Sequence, residues 1–278
     1  NMNTYVNQWQ EGGAVSVGSG VQRYIENRTS FYYYNANIGG AIYNNGYVTI
    51  GDGVIFRNNI ASNNSTSYYN GGGAIYNRKS MSIGDNASFN GNSAYYNGGA
   101  IYNDGYVIIG DGVTFRNNIA LNNSTYSGGG AICNRESMSI GDNASFNGNS
   151  AIYAWGSMFI GNNATFSDNA GGAICGVGVK TIGDNATFIG NSAFSAGGAI
   201  NAGNSTTIGS NAVFIRNTAA SKGGAIYNAY GSMFIGNNAV FSRNAASKGG
   251  AIYTSGYLEL MDCEFKTSTD TIYIFGGK

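Results

Sequence analysis

The 278-residue chain contains no histidine and no proline. Without histidine there is no Ser-His or Cys-His nucleophile system, no imidazole general base, and none of the commonest transition-metal ligand. Without proline, collagen and polyproline linkers are excluded. Charge is scarce as well. Fourteen Lys and Arg offset fourteen Asp and Glu, and charged residues make up 10% of the chain, so no net field steers it to nucleic acid or to an anionic membrane. The three cysteines, Cys133, Cys175 and Cys263, are too few and odd in number for a disulfide framework. No run approaches the roughly 18 apolar residues of a membrane helix. No N-terminal export signal is visible, which reads as a processed chain, a fragment, or export by another route.

Glycine (45) and asparagine (40) together supply almost a third of the residues, while 42% hydrophobic and 13% aromatic content argues for a packed core rather than disorder. Repetition dominates. Gly-Gly-Ala begins at Gly12, Gly39, Gly72, Gly98, Gly129, Gly171, Gly197, Gly223 and Gly249, and Phe-x-x-Asn recurs eight times from Phe56/Asn59 to Phe241/Asn244. Between them lies Ile-Gly followed by a short polar pair, starting at Ile50, Ile83, Ile109, Ile140, Ile160, Ile182, Ile208 and Ile235. One repeat keeps only Ala151-Ile152 of the first marker, and the two longest spacings carry Asn63–Tyr69 and Asn122–Tyr126, which read as projecting loops.

Each repeat holds three short apolar alternations of period two, such as Val48/Ile50, Val54/Phe56 and the Ala-Ile of Gly-Gly-Ala-Ile, bounded by Gly and Asn. These are half-buried strands, and nothing shows helical spacing. Three strands and three turns per repeat predict an all-β fold: a single parallel β-helix of about ten coils stacked at ~4.8 Å. Two residues after the motif Gly, only Gly or Asn occurs, from Gly53 and Asn86 to Asn238, the residues that tolerate positive φ at a corner. The Phe-x-x-Asn asparagines, Asn59, Asn92, Asn118, Asn149, Asn169, Asn191, Asn217 and Asn244, are expected to stack as a buried hydrogen-bonded ladder, the two residues before each varying freely. The whole chain, 1–278, then forms one domain: cap residues 1–11, coils 12–253 and a C-terminal coil or cap 254–278.

Gly-Gly-Ala-Ile paired with Phe-x-x-Asn over residues 12–253 resembles the repeat of the chlamydial polymorphic outer membrane proteins and related autotransporter passengers. The resemblance implies a right-handed parallel β-helix exported to a bacterial surface, often as an adhesin. Nothing after residue 255 supplies the strands of a membrane barrel.

Candidate sites are few. Gly71-Gly72-Gly73 and Gly128-Gly129-Gly130 lack the Lys-Ser/Thr of a phosphate loop and read as backbone turns. Asp52, Asp85, Asp111 and Asp142 share one corner with Asn162, Asp184, Ser210 and Asn237, and read as solvated turn residues in preference to a calcium ladder. After the Ile of Gly-Gly-Ala-Ile come Tyr43, Tyr76, Tyr102, Cys133, Tyr153, Cys175, Asn201, Tyr227 and Tyr253. The tolerance for Cys and Asn suggests an outward column, whose tyrosines are the candidate ligand surface or simply cross-strand stacking. Cys133 and Cys175, two coils apart, are expected to be free thiols. Asp262 and Glu264, expected on one face of the last strand, are the best acid–base pair but read as a solubilising edge. The basic residues look scattered, without the clusters a polysaccharide lyase needs. The sequence thus indicates a non-catalytic extracellular or cell-surface protein without cofactor or metal. Its partner would be a host or bacterial surface protein, a glycan, or itself, and the alternatives are a filament subunit and, last, a polysaccharide-active enzyme.

Overall fold

The computed structural model describes residues 11–63, 71–121 and 129–275. All of the expected cap except Glu11, and both projecting loops except Asn63, lie outside the described residues. The chain winds as a parallel β-helix. Its first sheet has eleven strands and its second and third have ten each, every strand pairing in parallel with its equivalents one coil before and after. One coil reads Ile101–Asn103, Tyr106–Ile109, Thr114–Arg116. Ten coils at ~4.8 Å make a body ~50 Å long.

Register explains the repeat. Ile75 pairs with Ile101, Met81 with Val107, and Phe89 with Phe115, so each side chain meets its own equivalent. The inward Phe rings from Phe31 to Phe265 stack with centroids 4.7–5.0 Å apart. Near-parallel rings at that separation are offset, the arrangement that ring quadrupoles favour. Each buried Phe contributes on the order of 2–3 kcal/mol of hydrophobic stabilisation. The corner residues Gly53, Asn86, Gly112, Asn143, Asn163, Asn185, Asn211 and Asn238 all have φ between 55° and 65°.

Two details differ from the sequence reading. Six coils carry a fourth strand of two residues, as at Ile60–Ala61, Ser93–Ala94 and Thr218–Ala219, so the coil has four sides there. The residue just before each ladder Asn also does not vary freely. Asn58, Gly91, Asn117, Gly148, Asp168, Gly190, Arg216 and Arg243 all take left-handed φ, because the chain makes a second tight corner there. Residues 254–275 continue the stack through Leu258–Leu260, Glu264–Phe265 and Ile272–Ile274.

Candidate functional site

The eight expected asparagines form one line of amides through the body. Each Nδ2 donates to Oδ1 of the next, from Asn59 to Asn92 at 2.9 Å through Asn217 to Asn244 at 3.0 Å, and each also donates to the preceding coil's Phe carbonyl. Each Oδ1 in turn accepts a backbone N–H of the preceding coil, Asn59 from Tyr34 and the others from the ladder Asn, as Asn118 does from Asn92 at 3.0 Å. Every amide points the same way, with donors toward the C-terminal end. The line ends on Asp270, which accepts from both nitrogens of Asn244 and from Thr267 and the Arg243 N–H. Burial alone would raise its pKa, but these hydrogen bonds outweigh it and hold the carboxyl below the ordinary range.

A second ladder escaped the sequence reading, although Gly-Gly-Ala-Ile-Tyr-Asn carried its signal. Asn44 donates to Asn77, Asn77 to Asn103 and Asn103 to Asn134 at 2.7–2.8 Å, all fully buried. Three coils interrupt it with Ala154, Gly176 and Ala202 before Asn228 resumes. The break leaves Asn228 Oδ1, which faces the Ala202 coil, without a hydrogen-bond partner. In the same stretch Lys180 stands inward between Met158 and Thr206 of the adjoining coils. Its ammonium is fully buried and donates to the carbonyls of Gly176 and Gly178 at 2.7 and 2.8 Å. Desolvation pulls its pKa down to about 8.

The tyrosine column is not the open surface expected of it. The side chains do leave the core on the face opposite Ile, but Tyr43, Tyr76, Tyr102 and Cys133 close into a second buried cluster, with Ile38 packed on it. Tyr253 is buried too, and Tyr153 and Tyr227 are half-buried. The reason lies in the bend ahead of the strand. The first glycine takes positive φ in eight of the nine Gly-Gly-Ala copies and folds back so tightly that a Cβ on Gly39 would stand 2.2 Å from the Ile42 carbonyl and 3.1 Å from Tyr76 Cβ. Ile38, just before the Gly39 bend, packs on the rings. The Tyr43, Tyr76 and Tyr102 rings stack at 5.6 and 4.8 Å, and the buried Tyr102 hydroxyl has no partner.

Cys133 and Cys175 are free, with Tyr153 between them in register, and burial raises both thiols to about 12. Asp52, Asp85, Asp111 and Asp142 each accept a backbone N–H from the following coil. Among the described residues, no group of three or more Cys, Asp or Glu is placed to hold a metal ion. Asp262 is not on the last strand with Glu264. It sits at the left-handed corner with φ 47°, and Glu264 pairs with Lys266.

The exposed aromatic surface lies on the second sheet instead. Its outward column runs Tyr24, Thr49, Ser82, Ile108, Ser139, Phe159, Thr181, Thr207, Phe234, and meets its first charge at Glu259. Beside it stand exposed Tyr47 and Tyr106, alternating with Ser80 and Ser137. Tyr106 and Ile108 are 69% and 62% exposed, so this face offers apolar area to solvent. Repetition could not reveal it, because these positions differ from coil to coil.

Fold and face together define a parallel β-helix repeat protein whose buried columns are uniform and whose outer surface is individual. Four segments match the Chlamydia polymorphic membrane protein repeat model, residues 53–78, 86–104, 211–229 and 233–255, each running from a Phe-x-x-Asn to a Gly-Gly-Ala-Ile. No curated protein and no solved structure matches the chain.

Proposed function

We propose that the chain is a non-catalytic, surface-displayed stalk of the autotransporter-passenger kind, which attaches to a partner through the outward face of its second sheet. One observation carries this: exposed aromatic and aliphatic side chains gather on one face, along an outward column that holds no charge before Glu259, of a body whose interior is filled. Apolar patches of this kind on a rigid scaffold mark interaction sites. The repeat family supports display at a bacterial surface. The test is adherence of beads coated with the purified chain to epithelial cells, wild type against Tyr47→Ser/Tyr106→Ser/Ile108→Ser. Serine stands at those registers in neighbouring coils, so the variant keeps the fold. Adherence should fall several-fold; equal adherence would remove this face from the proposal.

Head-to-tail growth into a filament has one observation in its favour. The C-terminal rung leaves Leu258, Leu260 and Phe265 half-buried and Ile274 and Phe275 exposed. Against it, Arg23 occupies the inward column at the other end, so stacking would press a guanidinium against Leu258. Sedimentation across a concentration series decides: unlimited growth supports the filament, a constant small species the stalk.

A further inference from the structure

Four of the fourteen basic residues, scattered in the chain, stack as two pairs in coils eight and nine. Lys222 and Lys248 face each other across a β-bridge, so their backbones stand ~4.8 Å apart. One corner earlier, Arg216 and Arg243 follow the paired strands Val213–Ile215 and Val240–Ser242 and are stacked likewise. Both arginines are exposed and left-handed, at φ 53° and 59°, in a column where the first coil has Tyr33 and coils two to seven use Gly, Asn or Asp. A side chain held in a disfavoured backbone region is one the surrounding structure retains against its own preference. The lysines are held in place by rings. Lys222 Nζ lies 4.9 Å from the Tyr253 centroid and 5.7 Å from Tyr227, and Lys248 Nζ lies 5.4 Å from Tyr273. None of the four cations pairs with a carboxylate among the described residues, where the ion pairs are Arg135–Asp104 and Lys266–Glu264. Asp270 is nearby but turned inward, its oxygens occupied by the ladder and by Thr267.

Two like-charged pairs stacked along the axis with no counter-charge are complementary to a chain of closely spaced anionic groups. We propose that this patch binds a sulfated polysaccharide, with the ammonium and guanidinium groups taking the sulfates and the half-exposed edges of Tyr227 and Tyr273 flanking the sugar rings. A membrane fits less well, because the cations are confined to two coils of a chain with zero net charge, and no broad basic face meets a bilayer. The site is separate from the second-sheet face and stands or falls without it.

The experiment measures binding of the intact chain to heparin by surface plasmon resonance, with neutral dextran, polyphosphate and phosphatidylserine vesicles alongside. Lys222→Gln/Lys248→Gln should weaken heparin binding tenfold or more. Arg216→Gly/Arg243→Gly, placing the glycine that coils three, five and seven already use there, should weaken it comparably while preserving the circular dichroism spectrum. The remote Arg57→Gln should change it less than twofold, and neutral dextran should not bind. Heparin affinity unchanged in the lysine variant, or lowered equally by Arg57→Gln, would overturn the site. Tighter binding of polyphosphate or vesicles than of heparin, with the same dependence on Lys222 and Lys248, would overturn the polysaccharide assignment.

Discussion

Lys180 is the least comfortable side chain in the core, and its replacement by methionine, the residue in register on coil six, has a calculable consequence. In the unfolded chain its ammonium titrates near 10.5, whereas in the fold desolvation brings this to about 8. Between those values the unfolded state binds more protons, so stability rises with pH. The gap of ~2.5 pH units corresponds to about 3 kcal/mol at ~1.4 kcal/mol per unit. That destabilisation is present in full below pH 8 and gone above 10.5. Methionine removes it but orphans the Gly176 and Gly178 carbonyls, at about 1–3 kcal/mol each. The net change at pH 7 is therefore small, and the pH dependence is the decisive readout. Urea unfolding of both proteins, followed by far-ultraviolet circular dichroism from pH 7 to 10.5, isolates Lys180 by difference. The stability of Lys180→Met relative to wild type should fall by about 3 kcal/mol across that range. A difference that stays constant would show that the ammonium is solvated and the core placement wrong.

Three further outcomes probe the ladders and the tyrosine cluster. Asn118→Ala strips two donated and two accepted hydrogen bonds from the middle of the line and should cost about 4–6 kcal/mol, read as a lower urea midpoint; a loss under 1 kcal/mol would mean the ladder is incidental. Tyr102→Phe removes a buried hydroxyl that bonds to nothing, and should raise the thermal midpoint or leave it unchanged, whereas a marked drop would reveal a partner. Asp270, with its pKa depressed, stabilises the fold above the ordinary carboxylate range and loses that contribution as pH falls through its folded value. Asp270→Asn should therefore weaken the fold at neutral pH by about 1–2 kcal/mol, because its Nδ2 would oppose the Thr267 and Arg243 N–H groups, and should lessen the acid sensitivity of the last coil. Equal acid midpoints in both proteins would contradict the assignment.

The sequence by itself determined the coil, the Phe and Ile columns, the left-handed corners and the Phe-x-x-Asn ladder. In an in-register stack each residue's neighbour is its own equivalent, so a repeated residue is already a contact. The second ladder was legible in Asn44, Asn77, Asn103 and Asn134, but its column is broken by Ala154, Gly176 and Ala202 and so lacks the uniformity of the first. Only the tertiary structure decided what lies outside each strand. Period-two alternation says which side of a sheet a residue takes, but not whether another segment folds across that side. That is why the tyrosines turned out covered, while Tyr47, Tyr106 and Ile108, which lie outside the repeat markers, stand open. It is also why Lys180 could occupy a methionine's place, and why four dispersed cations could meet as stacked pairs on two coils: a repeat of 26 or 27 residues returns the chain to the same point one rung higher.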